Sequence, residues 1–326
     1  MGDRTLREGR PASTSVAVGL AVLATLLWAS SLIYIKIGLE DLPPLTFAAL
    51  RYLIGAIALF LYRQVRYGRM PPQVERSSAK WMVALGLVLY TFVPAVMFLG
   101  LDEVDTVTFN FVFQAGIPLV LALTAGLFVK EPTSSWEWVG VGVVVAGMYV
   151  FFPAAPEGSE ALGIMLAALA ACGIGASNLL QRKILRDGKT AALDATLIPM
   201  ALGSSVLLII ALTLETWPTF TPQTVLLLLL LGVVNTAFAF TIWHHAMRTL
   251  NALHAGVIAS AQIIEVGVFA WLILDEELTA DRIIGSLVVI GGILIVHVSR
   301  AMVARRQRLE PEPAPKAHDH PLAGAS

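Results

Sequence analysis

Glu265 stands in the middle of an apolar stretch that runs from about residue 253 to 274. At 1.5 Å per residue in a helix, it lies about 15 Å from either end. A charged carboxylate at that depth in a bilayer costs at least about 2.5–3.5 kcal/mol unless it is neutral or paired, and such groups mark ion or substrate paths. Two readings stay open. Glu265 carries protons or binds a cation to drive a coupled process, or it is a protonated or hydrogen-bonded carboxyl that ties helices together. His254 precedes it by three helical turns on the same face and would form the wet wall of a cavity.

Asn110, Gln114 and Pro118 are spaced i, i+4, i+8 and share one face of an earlier apolar helix. Gln262 sets another amide at the matching level of the Glu265 helix. Amides at such a depth either lock helices to one another or present hydrogen bonds to a ligand. Ser31 and Asn178 occupy comparable positions in two other apolar runs, and Asn235 is a further amide of this kind. Arg51 falls inside an apolar run and needs a partner, a snorkelling route or an anionic ligand. Trp28 would stack on a ligand or anchor at the interface; Trp243, beside His244 and His245 near a helix end, reads as an interfacial anchor.

The elements that position these residues are membrane helices. The chain has 326 residues, 57% hydrophobic and 14% charged, with a mean hydropathy of +0.76. Soluble domains carry about 25% charged residues, so the whole length belongs in a membrane. A hydrocarbon core of about 30 Å takes roughly 20 apolar residues of helix. Ten such runs occur, at about 16–35, 45–63, 80–100, 104–129, 136–152, 162–181, 193–213, 223–246, 253–274 and 281–299. The first follows Arg4, Arg7 and Arg10 but is longer than the apolar region of a signal peptide, so it reads as a retained helix.

Charge orients the set. With the N-terminus in the cytoplasm, all of the 22 lysines and arginines except Lys36, Arg51 and Arg282 fall in cytoplasmic segments, as the positive-inside rule requires. Ten helices return the C-terminus to the same side. The tail after Arg300 is Pro-rich and lacks apolar residues, so disorder is expected there.

Other chemistries lack their residues. A net charge of −1 gives nucleic acid nothing to bind. The single cysteine, Cys172, excludes an internal disulfide and a cysteine metal cluster, and it is expected to pack as a small apolar residue. His318 and His320 do not make a metal site, and no cofactor is expected. Neither a metalloprotease HExxH, a Walker loop, a dinucleotide fingerprint nor a nucleophile elbow is present. Without a nucleotide-binding domain, any transport would be driven by a gradient.

Glu131 to Gly147 reads EPTSSWEWVGVGVVVAG, and Glu276 to Gly292 reads EELTADRIIGSLVVIGG. One constant offset of 145 pairs Glu131 with Glu276, Ser134 with Thr279, Gly140 with Gly285 and Gly147 with Gly292. Each copy is an apolar helix, a short acidic hinge and a Gly-rich helix, so the fold is two versions of one unit. The halves divide into an arm at 1–15, a five-helix unit at 16–152, a linker at 153–160, a second unit at 161–300 and a tail at 301–326. Five is odd, so the second unit is inverted, an arrangement suited to alternating access with a site at the repeat interface. Glu131 and Glu276 then fall at helix ends on opposite sides of the membrane and, with Pro118, read as hinge residues.

Trp28-Ala29-Ser30-Ser31, Lys36, Pro43-Pro44 and Arg51-Tyr52 resemble the opening of an EamA-type repeat of the drug/metabolite transporter (DMT) superfamily, and Glu131…Gly147 and Glu276…Gly292 resemble its closing helix. The resemblance spans about residues 16–300. It implies an all-α, ten-helix secondary transporter in the bacterial inner membrane that moves amino-acid-like, amine or drug-like solutes, often outward. The chain departs from the family at Lys130 and Asp275, where glycine is frequent, at Ile263 in place of proline, and at Gln262 in place of an acidic residue.

The leading expectation is therefore a proton-linked exporter of small metabolites, with protons, a small-molecule substrate and the lipid bilayer as partners. A uniporter or an exchanger for phosphorylated or nucleotide-linked sugars is the alternative; it would want several basic groups in the cavity, and Arg51 is the one that qualifies. A membrane-embedded lipid enzyme would need clustered Asp, His or Lys, and only His244-His245 comes near. Monomer and homodimer fit the sequence equally.

Overall fold

Apolar runs form the elements, and several of them open on strong start signals. Pro44 begins the second helix at a position where its missing N–H costs nothing. Thr221 and Thr224 close a reciprocal capping box around Pro222. Ser134 and Asn251 cap two further helices with their side chains.

The computed structural model describes residues 13–68, 72, 74–124, 134–185 and 190–309. The residues before 13, the hinge glutamate Glu131 and the tail beyond 309 lie outside the described residues. The helices are α1 (Thr14–Gly38), α2 (Pro44–Tyr67), α3 (Arg76–Glu103), α4 (Thr106–Thr124), α5 (Ser135–Phe151), α6 (Gly158–Leu185), α7 (Ala192–Leu214), α8 (Pro222–Ala246), α9 (Ala252–Ser260 followed by Gln262–Leu274) and α10 (Ala280–Leu309). Eight of them are long and apolar enough to cross a membrane; α4 and α5 are shorter apolar helices. No strand occurs among the described residues. The protein is an integral membrane protein of all-α class.

The leading helix of each half crosses over. α1 packs on α8 and α9 of the second half, and α6 packs on α3 and α4 of the first. α2 lies against α7, and α5 against α10. The last contact is the most intimate. Gly140 faces Gly292 across it, and Gly147 faces Gly285, each too close to the opposing backbone for a side chain.

α3 widens into a π-helical stretch at Gly86–Phe92, and α8 does so at Leu230–Phe238. In both, a threonine hydroxyl approaches the carbonyl five residues back: Thr236 donates to Leu231 O at 2.8 Å, while Thr91 lies 3.5 Å from Gly86 O and donates to Gly203 O of α7 at 2.8 Å. Thr91 and Thr236 are themselves 145 residues apart.

Packing is uneven from end to end. The largest buried cluster gathers Leu42, Phe47, Phe98, Leu101, Phe109 and Phe111 at the end where α1 turns into α2 and α3 into α4. The opposite end, rich in Lys and Arg, holds three small separate clusters.

Three details differ from the sequence reading. α10 continues to Leu309, well past the expected boundary at 300, because Ala301-Met302-Val303-Ala304 are helix-compatible and the arginines behind them suit a helix C-terminus. α2 likewise reaches Tyr67. Cys172, expected to pack as a small apolar residue, is exposed on α6.

Candidate functional site

α9 is broken. Ala261 separates its two halves, and its N–H turns back to Ile258 O at 3.2 Å instead of continuing the α pattern. No proline causes the break, since Ile263 stands where a proline would. Side chains of α4 secure it instead. Gln114 Nε2 donates to Ala259 O at 3.3 Å and to Gln262 Oε1 at 3.0 Å, while Asn110 Nδ2 donates to Gln262 O at 3.3 Å. The amides that share one face of α4 thus meet the carbonyls at the break, as backbone in a membrane demands. Asn110 Oδ1 remains buried with no hydrogen-bond partner among the described residues. Pro118 lies inside α4 without ending it.

Glu265 occupies the first turn of the second half of α9, where the helix dipole favours a negative group. Its Oε1 accepts from Thr25 Oγ1 of α1 at 3.0 Å. Its Oε2 is buried and has no hydrogen-bond partner among the described residues. The carboxylate therefore sits between helices of opposite halves, with one oxygen held and one free. His254, on the other side of the break, is exposed and bonds to Asn251 Oδ1 at 2.7 Å.

One turn beyond Thr25, Trp28 packs its ring 5.4 Å from Phe240 and 5.2 Å from Trp243. Trp243 thereby joins an inter-helix aromatic cluster, because α1 crosses α8 at that level and offers it Trp28. Asn235, in the π stretch of α8, donates to Leu27 O and to Ser30 Oγ of α1. Ser31 is buried and its hydroxyl has no partner among the described residues. Asn178 is exposed on α6.

Arg51 is 4% exposed. Its Nε donates to Thr236 Oγ1 at 3.2 Å, its guanidinium lies 5.2 Å from the Tyr52 ring centre, and Nη1 is buried without a hydrogen-bond partner among the described residues. The sequence reading asked for a partner, and the structure provides a hydroxyl but no carboxylate among the described residues.

The well-packed end is fastened by charges on helix termini. Glu276 accepts from Thr106 N at 2.8 Å and Val107 N at 2.9 Å, capping α4 with a carboxylate that follows α9. Glu215, which follows α7, caps α2 in the same way through Leu45 N at 2.8 Å and Thr46 N at 2.7 Å. Lys36 donates to Leu101 O at 2.6 Å and Val104 O at 3.1 Å at the C-terminus of α3, and Arg282 pairs with Asp105 at 3.2 Å. At the other end a buried pair, Arg63 with Asp194 at 2.6 Å, joins α2 to α7.

Sequence reasoning missed Thr25, Asp194 and Glu215. Glu215 had a signal: like Glu276, it is an acidic residue placed just after a long apolar run. Thr25 and Asp194 had none, because the residue that each one holds, Glu265 or Arg63, lies more than 100 positions away.

The EamA-like transporter family matches residues 15–152 and 161–298. The chain is 25% identical over 291 residues to an uncharacterized transporter, YoaV, of Bacillus subtilis (strain 168), covering 86% of this chain and 96% of that one. It is 24% identical over 288 residues to a probable amino-acid metabolite efflux pump of Escherichia coli (strain K12), covering 85% and 93%. A crystal structure with 17% sequence identity superposes with a TM-score of 0.63 over 90% of this chain and 99% of its own, a likeness of fold.

Proposed function

Because the chain belongs to the EamA-like transporter family, we propose that this transporter is a secondary active exporter of small amino-acid-like, amine or drug-like metabolites, exchanging them for protons. It works by alternating access of two inverted five-helix repeats, 16–152 and 161–300, with both termini on the cytoplasmic face of the bacterial inner membrane. The exchange of packing partners between halves supports the inversion: α1 on α8 and α9 mirrors α6 on α3 and α4. The Lys/Arg-rich end supports the orientation. The likeness to a probable amino-acid metabolite efflux pump of Escherichia coli supports the substrate class and direction.

The observation that carries proton coupling is the free, buried Oε2 of Glu265 beside a helix break. A carboxyl placed there is stable when neutral and gains when it is charged only if a cation or water arrives, which is what a coupling group needs. Thr25 keeps the group aimed between the halves. Gln262, Asn110 and Gln114 then line the path at the break, Trp28 offers a ring to the solute, and Ser31 and Asn178 add polar contacts. The buried Nη1 of Arg51, which has no hydrogen-bond partner among the described residues, is the group that would receive a carboxylate of the solute. That same nitrogen favours the second reading, an exchanger for phosphorylated solutes. Glu276 and Pro118 organise the movement.

Flux into proteoliposomes under an imposed pH gradient tests the reading, wild type against Glu265→Gln, over amino acids, amines and sugar phosphates. Gradient-driven flux in the wild type, reduced to exchange alone in the variant, is the expected result. A variant that still follows the gradient removes Glu265 from coupling. Flux of sugar phosphates alone would install the second reading.

A further inference from the structure

Between the ends of α2 and α8 and the start of α7, at the Lys/Arg-rich end, lies a cavity of about 240 Å³. Its mouth carries Arg66 and Arg248, both exposed, with His244 and His245 behind them. Among the described residues no acidic side chain lines it. The nearby carboxylate in the first turn of α7, Asp194, is already held by Arg63 at 2.6 Å. Its floor, Leu59, Leu193 and Phe240, merges with an apolar cluster around Met200 and Tyr90. The cavity is thus cationic at the rim and apolar beneath.

We propose that this cavity binds the phosphate of an anionic lipid headgroup. Basic pockets between membrane helices at a cytoplasmic surface have the charge and the depth for such groups. Tyr62 and Tyr67 stand in its wall as amphipathic rings suited to the headgroup level. On the same helix Ile57 and Leu61 are 52% and 57% exposed, a surface for the acyl chains. The start of α7 adds its dipole: Ala191 provides no side-chain cap, whereas α2 and α4 are capped by Glu215 and Glu276. This site is separate from the coupling residues, so it stands whether or not Glu265 carries protons.

The test uses the full chain in zwitterionic detergent and reads retained lipid by native mass spectrometry together with the melting temperature. The probes are phosphatidylglycerol, phosphatidylcholine and soluble glycerol 3-phosphate. Phosphatidylglycerol should be retained in preference to phosphatidylcholine and should raise the melting temperature. Arg66→Gln and Arg248→Gln should each weaken that retention about fivefold. Arg248→Lys should keep most of it, and Lys80→Gln, an exposed charge at the same end outside the cavity, should change nothing. Equal retention of both lipids, or a double arginine variant that retains phosphatidylglycerol like the wild type, overturns the proposal. Protection by glycerol 3-phosphate equal to that by the lipid, lost in the same variants, overturns the lipid assignment in favour of a soluble phosphate.

Discussion

A Cβ added to Gly140 on α5 would stand 2.9 Å from the carbonyl oxygen of Gly292 on α10. The relationship repeats itself one helical segment away, where a Cβ on Gly285 would stand 2.9 Å from the carbonyl oxygen of Gly147. Adding 145 to Gly140 and Gly147 yields Gly285 and Gly292, so the offset exchanges the two contacts. Two helices can touch through backbone this closely only where side chains are missing.

The first prediction follows from that approach. Gly140→Ala and Gly292→Ala each force the helices apart, at about 1–3 kcal/mol of overpacking. Gly142 and Gly291 sit in the same helices with nothing within 4 Å of an added Cβ. Gly142→Ala and Gly291→Ala should therefore melt with the wild type, or slightly above it. Equal melting temperatures for all four variants in detergent would contradict the contact.

The second prediction concerns Arg63 and Asp194, whose side chains are 5% and 1% exposed. Asp194→Ala leaves a buried guanidinium without its counter-charge, at about 3–5 kcal/mol. Arg63→Met combined with Asp194→Leu should recover much of the loss, because two apolar groups need no partner. A double variant no better than Asp194→Ala would mean that shape, not charge, joins α2 to α7.

The third prediction concerns access. Glu276 holds the amides of Thr106 and Val107, and so ties the end of α9 to the start of α4. Glu276→Ala should cost about 0.5–2 kcal/mol, the usual range for a lost cap. It should also loosen that end of the bundle. Ser31→Cys, placed at a 2% exposed position in a Cys172→Ser background, should react slowly with a membrane-impermeant thiol reagent and several times faster once Glu276→Ala is added. Unchanged labelling would leave Glu276 a local cap without a gating role.

What could be read from sequence alone follows from the range of the forces involved. Helices, the in-phase glycines and the depth of Glu265 depend on local composition and on one repeat offset, so they stand in the sequence. The amide face of α4 was also legible, because i, i+4 spacing is a local rule. The partners of those groups were not. Thr25 reaches Glu265 across 240 positions, and Glu215 reaches Leu45 across 170; such pairs are fixed by how helices cross. The break in α9 escaped notice for a different reason. Its expected cause, a proline, is replaced by Ile263, and the stabilising bonds come from another helix.

That origin gives the last prediction. If α4 secures the break, removing its donors should loosen α9 at that point and nowhere else. Gln114→Leu keeps much of the volume while deleting the bonds to Ala259 O and Gln262 Oε1. A buried carbonyl left without a donor costs about 1–3 kcal/mol, so the melting temperature should fall. Hydrogen exchange should rise at the amides of residues 258–264, which the break leaves with the weakest helical pattern. Thr25→Val is the matched control. It removes the hydroxyl that reaches Glu265 from α1 but touches none of the bonds at the break, so protection at 258–264 should hold. Faster exchange in both variants would place the support of α9 in the whole interface with α1 and α4; faster exchange in Gln114→Leu alone would assign it to the amides of α4.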